Sequence, residues 1–430
     1  MKTVSPADHG AAIHASRALV VPTRALVLVA IAICVVLPHS LQAVTAVLLG
    51  GAAAMSLLLL RAGRGITYVG ICFVLSALVT VAYILVGMAR GAPTTAVLQT
   101  LAIYIVSPLL WMTVWRCAIQ LTSPEWLLRY ILALSAMACA SVALFFFLFL
   151  TLGPQAVSFF IAESNVSIAE GRAGATMHVY GSMVFLTAAT FAAPELIRHV
   201  WARIALLTAL AAVALTSGRS ALILTIPIGL ATGTAIRRFQ AGPRGRGRAR
   251  GGGYMIAFAM AVAVLLLLAT VFTDLNISGI IESTWDKVLS GGGEARTDQS
   301  AALIDGIADT LGLGAGHGIG VALVRNYDYP WRYENVLLAS VFRVGVVGAV
   351  IYAAVWIITL LIATRRMLER RWTAEDTFVL AGLVAMILAS PTNPYLESFI
   401  FQWAYTLPLI YFSHRLLQDR AGGQPTQAVR

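Results

Sequence analysis

Residues 333–348 read YENVLLASVFRVGVVG, and they mark the boundary between the most polar part of this chain and a long apolar run. The polar part spans residues 273–333, and the apolar run continues to about residue 362. A helix that crosses a bilayer needs about 20 mostly apolar residues. The sequence therefore predicts a membrane-spanning helix that begins beside Glu334-Asn335, with polar chain directly before it.

The composition of the whole chain indicates the same class. Hydrophobic residues make up 59% and charged residues 11% of the 430 residues, whereas globular domains carry about 25% charged residues. The net charge is +11, but Lys and Arg fall in short clusters between apolar runs, which indicates cytoplasmic loops and no nucleic-acid surface. The four cysteines form no metal or disulfide pattern. We expect an all-α, polytopic membrane protein with the lipid bilayer as a partner and no metal or cofactor.

Hydropathy divides the chain into about twelve predicted spans. Their approximate limits are 22–38, 41–60, 66–88, 94–115, 129–152, 179–194, two short spans within 204–236, 254–272, 335–362, 376–390 and 398–413. The two short spans are separated at Ser217-Gly218-Arg219-Ser220. An even number of spans places both termini on the same side, and the Arg-rich loops make that side the cytoplasm.

Charge also divides the chain into three parts. Residues 1–272 would form nine helices, with an external loop at 153–178 and a basic cytoplasmic loop at 237–253 that carries six Arg. Residues 273–333 contain eight acidic and four basic residues, so this large loop is predicted to be external. Residues 334–430 would form the last three helices and a cytoplasmic tail.

The large external loop contains two recognisable segments. Thr297-Asp298 is predicted to cap an amphipathic helix, since apolar residues follow at helical spacing from Leu303 to Leu311. Such a helix would lie flat on the bilayer. Glycine then alternates with other residues from 312 to 320, and this run favours a flexible turn over a phosphate-binding loop, because no strand precedes it and no Lys-Ser/Thr follows. His317 within it is either a surface histidine or a functional one.

Three motifs occur in one order along residues 200–350. They are the Ser-Gly-Arg219-Ser turn between short spans, Arg296 in the large loop with its glycine-rich tail, and Glu334-Asn335 followed after nine residues by Gly345. With these motifs the chain resembles the bacterial O-antigen polymerase and ligase superfamily. The resemblance implies a multi-pass enzyme of the bacterial plasma (inner) membrane that uses glycans carried on a polyprenyl diphosphate at the outer face. The ligase branch carries a His where this chain has Glu334, so a polymerase-type member is favoured and a ligase is the alternative.

The candidate catalytic residues are Arg219, Arg296 and Glu334. Arg can stabilise a diphosphate leaving group without a metal, because its guanidinium is planar, permanently charged and bidentate. A carboxylate such as Glu334 at a low-dielectric boundary suits a general base that takes the proton of a sugar hydroxyl. The structural alternatives are a snorkelling or salt-bridged arginine and, for Glu334, an ion pair with Arg332 or Arg325.

With these roles, the resemblance implies a metal-independent glycosyltransferase. Its partners would be a polyprenyl-diphosphate-linked oligosaccharide and an acceptor glycan or glycolipid. Further residues are expected to contact these substrates: Arg172, His178, His317, Arg325, Arg332 and Asn335.

Helix geometry adds an expectation for the last motif. On an unbroken helix, at about 100° per residue, Gly345 would lie on nearly the same face as Glu334 and Arg343 on the opposite one. Arg343, inside the predicted span, would form a buried pair or contact a lipid phosphate. The rival class is a lipid-linked sugar flippase or transporter, which places ionisable groups near the bilayer midplane and often shows internal repeats. No internal repeat is found in the sequence.

Overall fold

The computed structural model describes most of the chain, and the description below is confined to those residues. They are 17–37, 42–59, 67–157, 166–169, 172–175, 180–217, 220–241, 294–324 and 329–422. The predicted span at 254–272 and most of the basic loop at 237–253 lie outside them.

The described residues are almost entirely helical, as predicted. In the first half the helices are α1 (Arg17–Val36), α2 (Gln42–Leu59), α3 (Thr67–Ala89), α4 (Thr94–Leu101), α5 (Ser107–Leu121) and α6 (Pro124–Leu152). A π-helical turn at Ala102–Val106 joins α4 to α5 without a gap. The second half contains α7 (Tyr180–Ala192), α8 (Val200–Thr216), α9 (Ser220–Ala241), α10 (Glu294–Asp309), α11 (Val336–Leu368), α12 (Ala374–Ala389) and α13 (Trp403–Gly422).

Helix length and surface mark the chain as an integral membrane protein. Among the described residues, six helical segments are long and apolar enough to cross a bilayer: Leu19–Val36, Tyr68–Ala89, Thr94–Leu121, Pro124–Phe149, Ala221–Ala241 and Val336–Leu368. Large apolar side chains are exposed along them, for example Leu78 on α3 and Val347 on α11. A soluble surface rarely carries such continuous apolar area. Further described helices are apolar but shorter, and the total of about twelve spans stays a prediction.

Helix α7 forms the centre of the bundle. Every residue from Gly181 to Ala192 is buried, and the helix packs against α9 and α12. On α9, Gly229 and Gly233 are four residues apart and face the backbone of Ala188 and Ala192, where a Cβ would overlap the carbonyl oxygens. Small residues at this spacing let two membrane helices approach closely, and van der Waals packing then holds them together.

The predicted external loops are described only in part. Two short antiparallel strands, β1 (Val166–Ala169) and β2 (Arg172–Ala175), form a hairpin within the predicted 153–178 loop. In the large loop, α10 begins at Glu294, so the predicted cap Thr297-Asp298 lies inside the helix. This helix packs against α11. Its predicted position flat on the bilayer stays a prediction.

Helix α11 connects two polar ends of the bundle. At its C-terminal end, Arg366 pairs with Asp376 of α12 and Asp419 of α13. Arg415 of α13 lies 3.5 Å from Asp376, so this network joins the three last helices. At the N-terminal end, the Val336 N–H donates to the Ser390 carbonyl at 3.3 Å. Among the described residues, Arg366 and Arg415 thus lie at the C-terminal end of α11, and Arg296, Glu334 and Asn335 lie at its N-terminal end.

Candidate functional site

Helix α10 holds two side chains of the site one turn apart. Arg296 and Gln299 are three residues apart and therefore share one face of the helix. Arg296 donates from Nε to Oε2 of Glu334 in an ion pair, and Gln299 Oε1 accepts a hydrogen bond from the Glu334 backbone N–H at 2.9 Å. Leu303, one turn further, is buried in one cluster with Phe342 of α11. Apolar packing between the two helices thus fixes the position of the polar pair.

The Arg296–Glu334 pair remains accessible. Each of the two side chains is 19% exposed, whereas Gln299 is buried. Arg296 uses Nε for this contact, and a guanidinium has five N–H donors. Among the described residues its two terminal nitrogens make no other hydrogen bond, so they keep donors for another anionic group.

Asn335 begins helix α11. Its side-chain oxygen accepts a hydrogen bond from the Leu338 N–H at 3.2 Å, which is the contact of an N-cap. Glu334 thus precedes the helix. The predicted alignment of Gly345 with Glu334 on one helical face is wrong, because α11 starts at Val336 and is broken at Gly345 (φ 69°, ψ 176°). Contact of Asn335 with substrate stays a prediction.

The glycine-rich segment 312–320 is inserted between α3 and α11. The sequence favoured a flexible turn, but residues at the centre of the segment are buried. Gly316 (φ 97°) lies against Gly87 of α3, and a Cβ on Gly87 would overlap the carbonyl oxygen of His317. The His317 N–H donates to the Tyr83 carbonyl at 2.9 Å. Glycine is needed on both sides because the two backbones touch.

The same segment completes the backbone hydrogen bonds of α11 at its break. In a regular helix the Val346 N–H would donate to the Phe342 carbonyl; here it donates to Gly312 at 3.0 Å. The Phe342 carbonyl accepts instead from Ala315 at 2.7 Å. Backbone groups are costly when they are buried and unpaired, so these bonds explain how Gly345 can interrupt α11 at a point where Phe342 and Val344 are buried.

A second ion pair lies deeper, between Arg343 and Glu397. The two side chains are 4% and 5% exposed, and Glu397 follows α12 in a 3₁₀ turn. Glu397 Oε1 also accepts from the Tyr104 hydroxyl at 2.7 Å, and Arg343 Nη2 donates to the Trp331 carbonyl at 2.6 Å. Of the two sequence-based alternatives for Arg343, the structure shows the buried pair. Full hydrogen bonding is what makes buried charges tolerable.

His317 lies beside this pair and is 2% exposed. Its Nε2 is 3.2 Å from the Tyr352 hydroxyl, which is 2.7 Å from Thr80 Oγ1. Its ring centroid is 5.2 Å from that of Tyr104. Burial, with a smaller effect of the Arg343 charge, lowers the pKa of His317 to about 3, so the ring is neutral at neutral pH. His317 is therefore not a surface residue, and its contact with substrate stays a prediction.

The structure describes only some of the other predicted site residues. Three lie outside the described residues: Arg219, His178 and Arg325. Arg172 belongs to β2, but the structure does not describe its side chain. Arg332 is exposed, and its guanidinium carbon lies 5.0 Å from the ring centroid of Tyr329. The structure thus brings Arg296 to Glu334 and leaves the position of Arg219 open.

Three residues of the site were missed by sequence reasoning. Glu397 carried a signal, since it is an acid between two apolar runs, three residues after Pro394. Tyr104 and Gln299 carried none, because a tyrosine in an apolar span and a glutamine on a polar helix are common. Only their contacts with Glu397 and Glu334 make them notable.

No protein-family model matches this chain, and no curated protein matches it. Within the described part of the chain, no group of three or more His, Cys, Asp or Glu is placed to hold a metal ion. The described residues define an integral membrane protein with an accessible Arg–Glu pair and a buried Arg–Glu pair near one end of a helical bundle.

Proposed function

We propose that this protein is a membrane glycosyltransferase of the O-antigen polymerase or ligase type. It transfers a glycan from a polyprenyl diphosphate to a sugar hydroxyl of an acceptor at the outer face of the bacterial plasma membrane. The polymerase type is preferred, because Glu334 stands where the ligase branch carries a His.

The Arg296–Glu334 pair is the observation that supports this proposal most. The two residues are 38 positions apart, and sequence reasoning assigned one to the leaving group and the other to the base. Transfer requires a cation for the diphosphate and a proton acceptor near the same sugar carbon. Arg296 and Glu334 supply these two groups and are partly exposed. They belong to a membrane protein, which a donor with a lipid tail can reach within the bilayer.

The proposed reaction exchanges one bond for another at the anomeric carbon. The bond from this carbon to the diphosphate oxygen breaks, and the polyprenyl diphosphate leaves with the electron pair. The acceptor oxygen bonds to the same carbon, and its proton passes to Glu334. The terminal nitrogens of Arg296, together with Arg219, stabilise the charge of the leaving group. A diphosphate that attracts Arg296 would also loosen its hold on the carboxylate and so favour proton transfer when the donor is bound.

The test uses purified protein, a polyprenyl-diphosphate oligosaccharide and an acceptor glycan, with product length measured on a gel. Glu334→Gln keeps the shape of the side chain but removes the proton acceptor, so we expect turnover to fall about 10² to 10⁴-fold. Donor binding should change little. Arg296→Lys keeps the charge but loses the planar fork, so we expect weaker binding of the donor and slower transfer.

A matched control is available on the opposite end of α11. Arg365 and Glu369 form an exposed ion pair, with Nε 2.7 Å from Oε1. Glu369→Gln and Arg365→Lys make the same chemical changes far from the site and should leave transfer at the wild-type rate. A stable Glu334→Gln variant that elongates at the wild-type rate would remove Glu334 from the mechanism.

The second candidate function is a lipid-linked sugar flippase or transporter. The break of α11 at Gly345, next to the buried Arg343–Glu397 pair, favours it, because transporters often use broken helices and ionisable groups inside the membrane. In a transporter, Glu334→Gln would alter movement of the lipid carrier without changing glycosidic bond formation. Vesicles containing the protein and a fluorescent lipid-linked sugar separate the two activities.

A further inference from the structure

A cleft of about 220 Å³ lies between the start of α6, the turn that joins α7 to α8, and the start of α12. Five charged side chains line it: Glu125, Arg129, Glu195, Arg198 and Glu375. We propose that this cleft binds the headgroup of a zwitterionic phospholipid with a primary ammonium group, of the phosphatidylethanolamine type. Lipid binding here does not depend on the proposed transferase activity.

Two of the three acidic side chains already have a basic partner. Glu125 Oε1 lies 3.2 Å from Nη2 of Arg415, and Glu195 Oε2 lies 3.8 Å from Nη1 of Arg237. Arg415 also belongs to the network around Asp376, so the cleft is at the C-terminal end of α11. This end is predicted to be cytoplasmic, and the lipid would therefore come from the cytoplasmic leaflet.

The other three charged side chains are available to a ligand. Among the described residues, Glu375 and Arg198 form no ion pair, and Arg129 uses only Nε, which donates to the Glu125 backbone carbonyl at 3.3 Å. The cleft thus offers two guanidinium groups to an anion and one carboxylate to a cation. A phosphodiester with a nearby ammonium supplies both partners. A purely anionic headgroup would leave Glu375 without a cation, and a purely cationic ligand would meet both arginines.

Two tryptophans place the cleft at the level of lipid headgroups. Trp126 directly follows Glu125, and Trp201 lies three residues after Arg198. Both indoles are exposed, Trp201 by 82%. Tryptophan is enriched at membrane–water interfaces because its ring has an apolar body and a polar N–H. The charged lining is therefore at a depth where a phospholipid presents its phosphate and ammonium.

The cleft also has an apolar side and enough room. Leu128 and Leu132 line it and are one turn apart on α6, so they follow the helix about 6 Å along its apolar span. The glycerol and first chain carbons of a lipid can lie against them. A volume of 220 Å³ equals that of about seven water molecules in the liquid. A phosphoethanolamine group has about eight non-hydrogen atoms, which covalent bonds hold closer together than separate waters.

The first test compares three phospholipids with the same acyl chains. Purified full-length protein in detergent is titrated with phosphatidylethanolamine, phosphatidylcholine or phosphatidylglycerol, and bound lipid is counted by native mass spectrometry. Phosphatidylethanolamine should bind about tenfold more tightly than either of the others. The methylated ammonium of phosphatidylcholine cannot donate hydrogen bonds to Glu375, and phosphatidylglycerol has no ammonium.

Two variants assign the two halves of the headgroup. Glu375→Gln should bind phosphatidylethanolamine and phosphatidylglycerol equally, because the carboxylate for the ammonium is gone. Arg198→Gln should weaken binding of all three lipids about tenfold. Glu369→Gln and Arg238→Gln are matched controls, since both residues are exposed at the same end of the bundle and lie outside the cleft. They should keep the wild-type preference.

A soluble headgroup and a stability measurement complete the test. Glycerophosphoethanolamine, which has no acyl chains, should bind far more weakly than the lipid; equal binding would contradict a lipid ligand. Phosphatidylethanolamine should raise the unfolding midpoint of the wild type and raise that of Glu375→Gln less. Equal affinity of the wild type for the three lipids, or an unchanged preference in Glu375→Gln, would overturn the assignment of the cleft. Neither result bears on glycan transfer.

Discussion

At the scale of single residues, the two Arg–Glu pairs differ in burial and therefore in what they can do. The Arg343–Glu397 side chains are almost fully buried. That pair can orient Trp331 and its neighbours, but exchanging one partner would leave a buried charge unpaired at a high cost in free energy. Arg296 and Glu334 are partly exposed and can exchange one partner for a ligand. The buried pair is thus suited to positioning and the exposed pair to chemistry.

This difference predicts unequal effects on stability. Glu397→Gln leaves the Arg343 charge uncompensated in the core, and we expect a loss of about 3–5 kcal/mol. Glu369→Gln also removes a carboxylate, but from an ion pair at the surface, where the Arg365 side chain is 70% exposed. This variant should lose at most about 1 kcal/mol of unfolding free energy. Unfolding of the purified protein in detergent, followed by circular dichroism, measures both. Equal small losses would show that the Arg343–Glu397 pair does not hold the core.

At the scale of elements, the insertion of segment 312–320 between α3 and α11 depends on close backbone contact. Gly87→Ala places a methyl group on the His317 carbonyl oxygen, so the segment must move. Overpacking of this kind typically costs about 1–3 kcal/mol, and the His317–Tyr83 hydrogen bond is lost with it. We expect a lower unfolding midpoint and weaker transfer.

Gly70→Ala is the matched control, because Gly70 belongs to the same helix and a Cβ there meets no atom within 4 Å. In a helix, Ala is favoured over Gly by about 1 kcal/mol, so this variant should be as stable as the wild type or slightly more stable. If Gly87→Ala behaved like Gly70→Ala, the contact between α3 and the segment would not matter for stability.

At the scale of the whole molecule, the two ends of the bundle should face opposite sides of the membrane. Thr94 is exposed at the start of α4, between Ala92 and Ala96, which lie against Gly318 of the glycine-rich segment. Glu369 follows α11 and pairs with Arg365. The Arg-rich end is predicted to be cytoplasmic. Thr94→Cys should therefore react with an impermeant thiol reagent in intact cells, and Glu369→Cys only after the cells are permeabilised.

The native cysteines provide a low background for this measurement, since all four are buried: Cys34, Cys72, Cys117 and Cys139. Labelling of both variants in intact cells, or of Glu369→Cys alone, would contradict the predicted orientation.

The sequence by itself determined the class of protein and most helix positions. The spans predicted at 41–60, 66–88 and 376–390 closely match α2, α3 and α12, and the break predicted at 217–220 falls between the end of α8 at Thr216 and the start of α9 at Ser220. These features are local, because the bilayer sets the length of an apolar run and a polar turn interrupts it. The sequence also selected Arg296, Glu334 and Arg343 as residues of interest, since charges beside or within apolar runs are costly and need a reason.

Only the tertiary structure decided which charges meet. Arg343 and Glu397 are 54 residues apart, and the sequence around each residue does not indicate that the two form an ion pair. The break at Gly345 and the insertion of the glycine-rich segment also depend on contact between distant backbones. Hydropathy and helical periodicity describe each segment alone, whereas ion pairing and close packing depend on which segments become neighbours when the bundle folds.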